Sequence, residues 1–529
     1  MNDQAKAEPS IWERSNIVRS FRWLCSWRGI RRVLIVLAWT VTIIGLWYGE
    51  ENWRGRHAWN RYREATEARG VSLDYATYIP KSVPDEQNFA ATPFLKTFFQ
   101  PSLSILTNDL WLRAVDHIAE TTIVKEKNRR RFTDLVAWQL ASAALQSGPL
   151  KRGQKFETDN ADPAARGAAA PAVLEGMQPD AAVFAELRAA SSREYARFAV
   201  VYDLENPWAI LLPHLARVKQ TVQRLNLEAC AELAAGQTDP ALADVKLMLS
   251  LSDSIKSEPF LISFLVRVAC VQIAIQPVWE GLAEHRWTDA QLQELQARFS
   301  AYDFLTDMEQ SLKAERAVGT LTADLLRKKG LAYLVNVGSD NGSQEQFSKL
   351  VAYCIGRVVP SGWYDQEKLN YNRLFDAQFQ GVVDPAAKRI FPSLAASNAN
   401  VVDTQTAFAF LHGRVIARLL LPGLKNIPVK TARAQTTADQ AAVGCALERY
   451  RLAHGQFPET LEALTPQFMS RQPNDVITGQ PYKYRRADAG QFVLYSVGWN
   501  EKDDGGVPGQ TLFDMTQGDW VWQYPAILP

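Results

Sequence analysis

Residues 231–253 read AELAAGQTDPALADVKLMLSLSD. A run of small and apolar residues stops at Gly236, which can take the positive φ that ends a helix. The pattern resumes after Asp239–Pro240, an acidic N-cap followed by a proline whose fixed φ suits the first helical turn. Toward the N-terminus, Leu215, Val218, Val222, Leu225 and Ala229 recur at alternating spacings of three and four, the stripe of one helical face. Toward the C-terminus, Leu242, Val245, Met248 and Leu249 give a second face, and Leu261, Phe264, Leu265, Val268, Val271 and Ile275 a third from about Pro259. Thr288, with Asp289 behind it, opens further helix through Lys329. The chain is expected to be mainly α.

Two short-looped helices followed by a third resemble a tetratricopeptide-type hairpin. Ala231, Gly236, Ala241 and Leu242 lie near the positions that family uses for close helix approach. One such unit is visible and a solenoid needs at least three, so a generic helical domain stands beside a repeat array.

The N-terminus carries a different signal. Residues 30–49, IRRVLIVLAWTVTIIGLWYG, contain no charge from Val33 to Gly49. The uncharged run is a little short for the ~30 Å hydrocarbon core, but Arg31 and Arg32 can snorkel and Trp47–Tyr48 suit the far interface. No small-residue cleavage site follows, since the next residues are Glu50, Glu51, Asn52 and Trp53. A signal anchor is expected, not a removed leader. Lys6, Arg14, Arg19, Arg22, Arg28, Arg31 and Arg32 precede the span, which favours a cytoplasmic N-terminus and a body outside the cytoplasm. Phe260–Val278 is also apolar but holds Arg267, Gln272 and Gln276, and Ala407–Leu424 holds His412, Arg414 and Arg418. Both read as buried helices of a soluble body.

Lys plus Arg number 58 and Asp plus Glu 57, so no bulk field exists to hold a polyanion and no nucleic-acid partner is expected. The five cysteines, Cys25, Cys230, Cys270, Cys354 and Cys445, form no CxxC pair. They read as small buried thiols apart from Cys25, with a Cys230–Cys270 disulfide as the alternative. HExxH, GxSxG, Walker and GxGxxG motifs are absent. No two of the six histidines, nor a histidine and a cysteine, stand four apart. Glu309 and Glu315 share a helix with Lys313 and Arg316 and read as a solvated or paired face. Trp363, Tyr364 and Tyr371 could stack on sugar rings, against a blander reading as core or docking surface.

The last segment changes character. Thr436–His454 reads as a helix ended by Gly455, Pro458–Leu464 as a short helix, and two strands flank Asp488–Ala489–Gly490. Helix plus small antiparallel sheet is an α+β unit. Gly455, Phe457 and Pro458 form a G-x-[YF]-P turn. Asp475, Gly479, Pro481, Tyr482 and Tyr484 follow a D-x-x-G-x-P-Y-x-Y pattern, and Ser496 and Gly498 begin an S-x-G-x-D-G loop. This order resembles the globular domain of the major pseudopilin of type II secretion systems. Three departures stand out: one extra residue between Asp475 and Gly479, Asn500 and Glu501 in place of Asp and Gly, and no Gly-Phe-Thr-Leu-Ile-Glu processing signal. The whole layout resembles uncharacterised single-pass, membrane-anchored bacterial proteins. The pseudopilin loop binds Ca²⁺, so the resemblance makes Asn500, Asp503 and Asp504 calcium candidates, with Gly505 and Gly506 permitting the turn. No other cofactor and no catalytic residue is expected.

The expected organisation is a cytoplasmic basic segment (1–29), a transmembrane signal anchor (30–49), a juxtamembrane helical region (50–150), a linker (151–180), a helical domain (181–330), a mixed helical and irregular region (331–432) and a pseudopilin-like α+β module (433–529). The expected function is a membrane-anchored binding or scaffold protein of the bacterial cell envelope, in the inner membrane with its body periplasmic. Its partners would be the lipid bilayer and an envelope protein, with a secretion-associated role. The alternative is an envelope enzyme, a glycan-directed hydrolase without a visible motif.

Overall fold

The computed structural model describes residues 20, 23–99, 130–148, 156, 162–330, 333, 359–406, 413–487, 490–510, 514 and 516–522. The longer helices are α1 (Trp27–Glu67), α2 (Leu135–Ser147), α3 (Pro163–Met177), α4 (Ala181–Ala190), α5 (Pro213–Ala234), α6 (Thr238–Asp253) and α7 (Leu261–Ala283). They continue with α8 (Asp289–Ser300), α9 (Phe304–Lys329), α10 (Ser361–Phe379), α11 (Pro392–Thr406), α12 (Val415–Leu424) and α13 (Ile427–His454). Strands β1 (Val383–Asp384) and β2 (Arg389–Ile390) pair antiparallel. Strands β3 (Lys483–Ala487), β4 (Gln491–Ser496) and β5 (Trp520–Trp522) form an antiparallel sheet in that order, with Lys483 opposite Tyr495 and Leu494 opposite Trp522. The chain divides into two compact units. One comprises the described parts of 1–69 and 323–370, the other those of 70–322 and 371–529.

The first unit is built on α1. Ser26 caps it, its hydroxyl accepting from Gly29 N at 3.1 Å. The apolar residues from Val33 to Trp47 are exposed, and the helix is long and apolar enough to cross a membrane. The boundary expected at residue 50 is not a break. Glu50 and Glu51 continue the helix and pair with Arg54 at i+4 and i+3 spacing. Past the apolar run, α1 crosses the start of α10 at a glycine pair. A Cβ on Gly55 would lie 2.2 Å from Gly362 O, and one on Gly362 2.2 Å from Glu51 O. Asn52 Oδ1 accepts from Gly362 N (2.8 Å) and Ser361 Oγ (3.0 Å), supplying the α10 N-terminus with its acceptor. The Trp363 indole donates to Glu51. Lys368 lies over the Trp59 ring and bonds Asp324 and Asp365 at 2.9 Å each.

The second unit holds the hairpin from which the fold was read. Leu215, Val218, Val222, Leu225 and Ala229 are all buried, and Gly236 ends α5 at φ +77°. Helix α6 starts at Thr238, so Asp239 lies in the first turn instead of capping it, where it accepts from Gln291 Nε2 at 2.6 Å. Thr288 and Gln291 form a capping box for α8. Helix α7 is also apolar enough for a span, but most of it is buried inside the unit and Arg267 and Glu280 on it are ion-paired. Cys230, Cys270 and Cys445 are buried free thiols, so the disulfide alternative does not hold; Cys354 lies outside the described residues.

Three expectations need correction here. The linker expected over 151–180 contains α3. Asp162 caps it by accepting from Ala164 N, Pro163 occupies the first turn, and small alanines let it pack closely. Its Arg166 is buried and paired with Glu280 and Glu284, so the small-residue composition served packing, not looseness. Second, the boundary expected at 433 falls inside α13, which begins at Ile427 and is buried on all sides from Ala434 to Glu448. Gln435 bridges to Phe304 N (2.9 Å) and Tyr302 O (3.1 Å), and Arg449 pairs with Asp289. One apolar cluster joins Leu305, Ile390 and Ala432 to Val476, Val497 and Trp520. The C-terminal strands therefore share their core with the helical body. Third, Pro458–Leu464 forms only a 3-10 turn at Leu461–Leu464.

The motif residues of the C-terminal segment close this fold. Asp475 is buried. Its Oδ1 accepts from Ile477 N and the Ser496 hydroxyl, both at 2.9 Å. The Tyr482 hydroxyl donates to Asp439 Oδ2 at 2.9 Å, and the Tyr484 hydroxyl to Pro458 O at 2.7 Å. Gly455 terminates α13 at φ +77°.

Candidate functional site

A recess lies in the second unit, a cleft of about 840 Å³. One wall is the segment 79–84, which Pro80 and Pro84 keep out of helix. Among the described residues, the backbone N–H groups of Lys81, Ser82 and Val83 have no protein acceptor. A second extended segment, Glu194–Arg197, runs beside it. Tyr195 N donates to Gln87 O at 3.1 Å and Phe89 N to Tyr195 O at 2.7 Å. Asn88, almost fully buried, stitches the two together. Its Oδ1 accepts from Arg197 N (2.8 Å) and its Nδ2 donates to Arg197 O (2.9 Å). Arg197 Nε reaches back to Pro80 O at 3.0 Å.

The other walls are helical. The end of α6 gives Asp253, the following turn gives Lys256, Ser257 and Glu258, and α9 gives Asp307, Gln310 and Ser311. Arg267, buried on α7 against Tyr302 and Phe304, holds both aspartates, bonding Asp253 at 3.0 Å and Asp307 more closely still. Arg298 and Lys256 add a second cation to Asp253 and Asp307 respectively, each at 3.4 Å. Glu258 accepts from the Ser263 hydroxyl and bonds His214 Nε2 at 2.7 Å, with His214 stacked on Phe99 and Phe198. The hydroxyl donates to the carboxylate, not to the imidazole. The base–hydroxyl contact that activates a serine nucleophile is therefore missing from this trio. The cleft is a charge-compensated recess with tyrosine, proline and open backbone along one side.

A second polar cluster lies inside the α5–α6 hairpin. Glu228, Glu232 and Asp244 each place a carboxylate oxygen within 4.8 Å of the others, enough to hold a metal ion by spacing alone. Arg188 bonds Asp244, and Arg224 pairs with Asp180 beside them. Burial, and then the neighbouring carboxylates, hold Glu228 and Glu232 well above the ordinary carboxylate range; burial likewise raises Asp244 against the pull of Arg188. The sequence shows Glu228 and Glu232 one turn apart, but not that Asp244 and Arg188 meet them.

The calcium candidates lie on the surface loop after β4. Asn500 Nδ2 donates to Asp504 Oδ2 (3.1 Å), which also accepts from Gly518 N (3.0 Å). Asp503 Oδ1 accepts from the Tyr495 hydroxyl and Gly505 N, both at 3.0 Å, and these bonds hold its carboxyl below the usual range. Gly505 and Gly506 take φ of +73° and +80°. Glu501, standing where the pseudopilin pattern has glycine, adopts φ +58° and bonds Ser393 at the start of α11.

Other residues singled out in the sequence have structural places. Tyr364 and Tyr371 are buried, and the Tyr371 ring fills the space a side chain on Gly319 would take. Glu309 pairs with Lys313 at 2.8 Å, as expected for i and i+4. Glu315 departs from the solvated reading: burial pushes its carboxyl up to about 7. His454 stacks on Tyr450 and bonds its carbonyl at the end of α13. Comparison with family models, with curated proteins and with solved structures finds no match to the chain.

Proposed function

We propose that the chain is a single-pass, membrane-anchored binding protein of the bacterial cell envelope, and that its cleft takes an extended polypeptide. In this reading α1 is a signal anchor in the inner membrane, residues 1–29 are cytoplasmic and the body is periplasmic. The arginine-rich N-side flank supports that orientation, and the exposed apolar face from Val33 to Trp47 supports contact with lipid. The resemblance of residues 433–529 to the major pseudopilin points toward a secretion-associated partner.

One observation carries the reading: Lys81, Ser82 and Val83 line the cleft, and among the described residues their backbone N–H groups have no protein acceptor. A strand laid beside them would gain main-chain hydrogen bonds, with Tyr78, Tyr195 and the paired charges contacting its side chains. A glycan hydrolase would instead need one carboxyl kept protonated opposite a second, free carboxylate. Asp253 and Asp307 are both engaged by Arg267 and Glu258 by His214, which disfavours that alternative. The test is a photo-crosslinking residue at Ser82 of the full chain in its native membrane, with exposed Val507 as the control position. A polypeptide adduct from Ser82 alone is expected. Equal adducts from both positions, or none from Ser82, would overturn the reading.

A further inference from the structure

Of the three aromatic residues that stand close together at 363–371, the fold covers two. Tyr364 and Tyr371 are buried, while 39% of Trp363 stays exposed. Trp363 lies in the first turn of α10 and meets the exit of α1, both in the first unit. Its indole N–H donates to Glu51 Oε2 at 3.2 Å. Its ring meets that of Trp47 edge-on, with the ring centres 6.2 Å apart. Trp47 and Glu51 are one turn apart on α1, about 6 Å along its axis. Trp47 ends the exposed apolar run, and Glu51 begins the charged turn with Glu50 and Arg54. The Trp363 ring therefore bridges apolar and charged surface, with its N–H on the charged side. An indole so placed suits a membrane–water interface, where one end is dry and the other wet.

The depth of Trp363 along α1 is set by backbone. The neighbouring Gly362 packs so closely that a Cβ on it would lie 2.2 Å from Glu51 O, and Asn52 Oδ1 holds both Gly362 N and Ser361 Oγ. Trp363 cannot slide along α1 unless the two helices part. The next turns of α10 run away from the apolar run: Lys368 lies over Trp59, about three turns beyond Trp47, and pairs there with Asp365 and Asp324. The charges of α10 thus stand on the water side of Trp363, in the same order as those of α1.

We propose that the first turn of α10 is a second lipid-contacting element, with Trp363 seated beside Trp47 where acyl chains give way to headgroups. The exposed Trp363 surface is continuous with the apolar face of α1, and a bilayer covers the two together. The inference rests on the reading of α1 as a membrane span and goes beyond it, because a single-pass anchor needs no lipid contact from a segment so far along the chain. The bilayer then holds the exit of α1 and the start of α10 as one piece.

The test is depth-dependent quenching of the full chain in vesicles of phosphatidylethanolamine and phosphatidylglycerol. Cys25 and Cys354 are changed to serine, and Trp363→Cys is labelled in detergent with a nitrobenzoxadiazole fluorophore before reconstitution. The vesicles carry a lipid spin label either near the headgroup or near the acyl-chain end. The same label at Trp39, exposed in the middle of the run, and at Val507, exposed in the second unit, gives the controls. The label at 363 should lose more fluorescence to the shallow quencher than to the deep one, that at 39 more to the deep one, and that at 507 little to either. A label at 363 that behaves like 507 while 39 is quenched would overturn the proposal and leave the span standing. No quenching at 39 would overturn the span reading and the proposal with it. A second measurement keeps a large aromatic ring in place, so that a folding defect of Trp363→Cys does not decide the result. With the photo-crosslinker benzoylphenylalanine at 363 in native membranes, phospholipid adducts are expected. Adducts to polypeptide alone, or none, would overturn the proposal.

Discussion

Replacing Glu232 with Gln should stabilise the protein, and more at pH 7.5 than at pH 5.5. Glu232 is almost fully buried inside the α5–α6 hairpin and faces Glu228 and Asp244. Arg188 is bonded to Asp244, and the Asp180–Arg224 pair lies alongside. Burial and those two carboxylates push its pKa from 4.5 to about 9. A carboxyl raised in this way binds more protons folded than unfolded. Its stability is complete below the unfolded pKa and is lost as pH rises toward the folded one. At pH 7.5 the folded side chain keeps its proton, while the unfolded one has lost it over about 3 pH units. At 1.36 kcal/mol per unit this costs about 4 kcal/mol, falling to about 1 kcal/mol at pH 5.5. Gln has the shape of the protonated acid, supplies a donor to the unpartnered Asp244 Oδ2 and never ionises. Urea unfolding of the solubilised full chain and its variant at both pH values, in chelator, measures the difference. A gain that is equal at the two pH values, or a loss at pH 7.5, would refute the reasoning.

Three further outcomes are expected. Leu225→Ala, at a fully buried position of the α5 stripe, should cost about 2–5 kcal/mol in the same unfolding assay. Gly362→Ala places a methyl carbon against the Glu51 carbonyl, where backbone must yield, and should cost about 1–3 kcal/mol; protease sensitivity within residues 50–69 should rise. The oxygens of Asn500, Asp503 and Asp504 already accept bonds from their own loop. Millimolar Ca²⁺ against chelator should therefore leave the melting temperature of the full chain unchanged, and a rise abolished by Asp503→Ala with Asp504→Ala would show a metal site there.

What was legible in the sequence was what local spacing encodes. The Leu215–Ala229 stripe, the stop at Gly236, the Thr288 cap and the Gly455 terminator all act within a few residues, and all stand where the pattern puts them. The misread elements depend on distant partners. Residues 163–177 look like a linker because alanine and proline carry little periodic signal; what makes them a helix is Asp162 at its start and Glu280 waiting for Arg166. Likewise α13 looks like the start of a separate module until Gln435 and Arg449 are seen to bond the helical body. The cleft was half legible. Pro80 and Pro84 disfavour helix locally, but nothing local says that Asn88 bonds Arg197, or that Arg267 neutralises Asp253 and Asp307.

The account rests on one span holding the cleft outside the cytoplasm, and a cysteine at Ser82 reads both at once. Cys25 is exposed and Cys354 lies outside the described residues, so both would be changed to serine; Cys230, Cys270 and Cys445 are buried and can stay. Spheroplasts carrying Ser82→Cys in this background are treated with a membrane-impermeant maleimide before and after permeabilisation. The account predicts full labelling of the intact spheroplasts, with no increase on permeabilisation. Labelling that appears only after permeabilisation would place the cleft in the cytoplasm and contradict it.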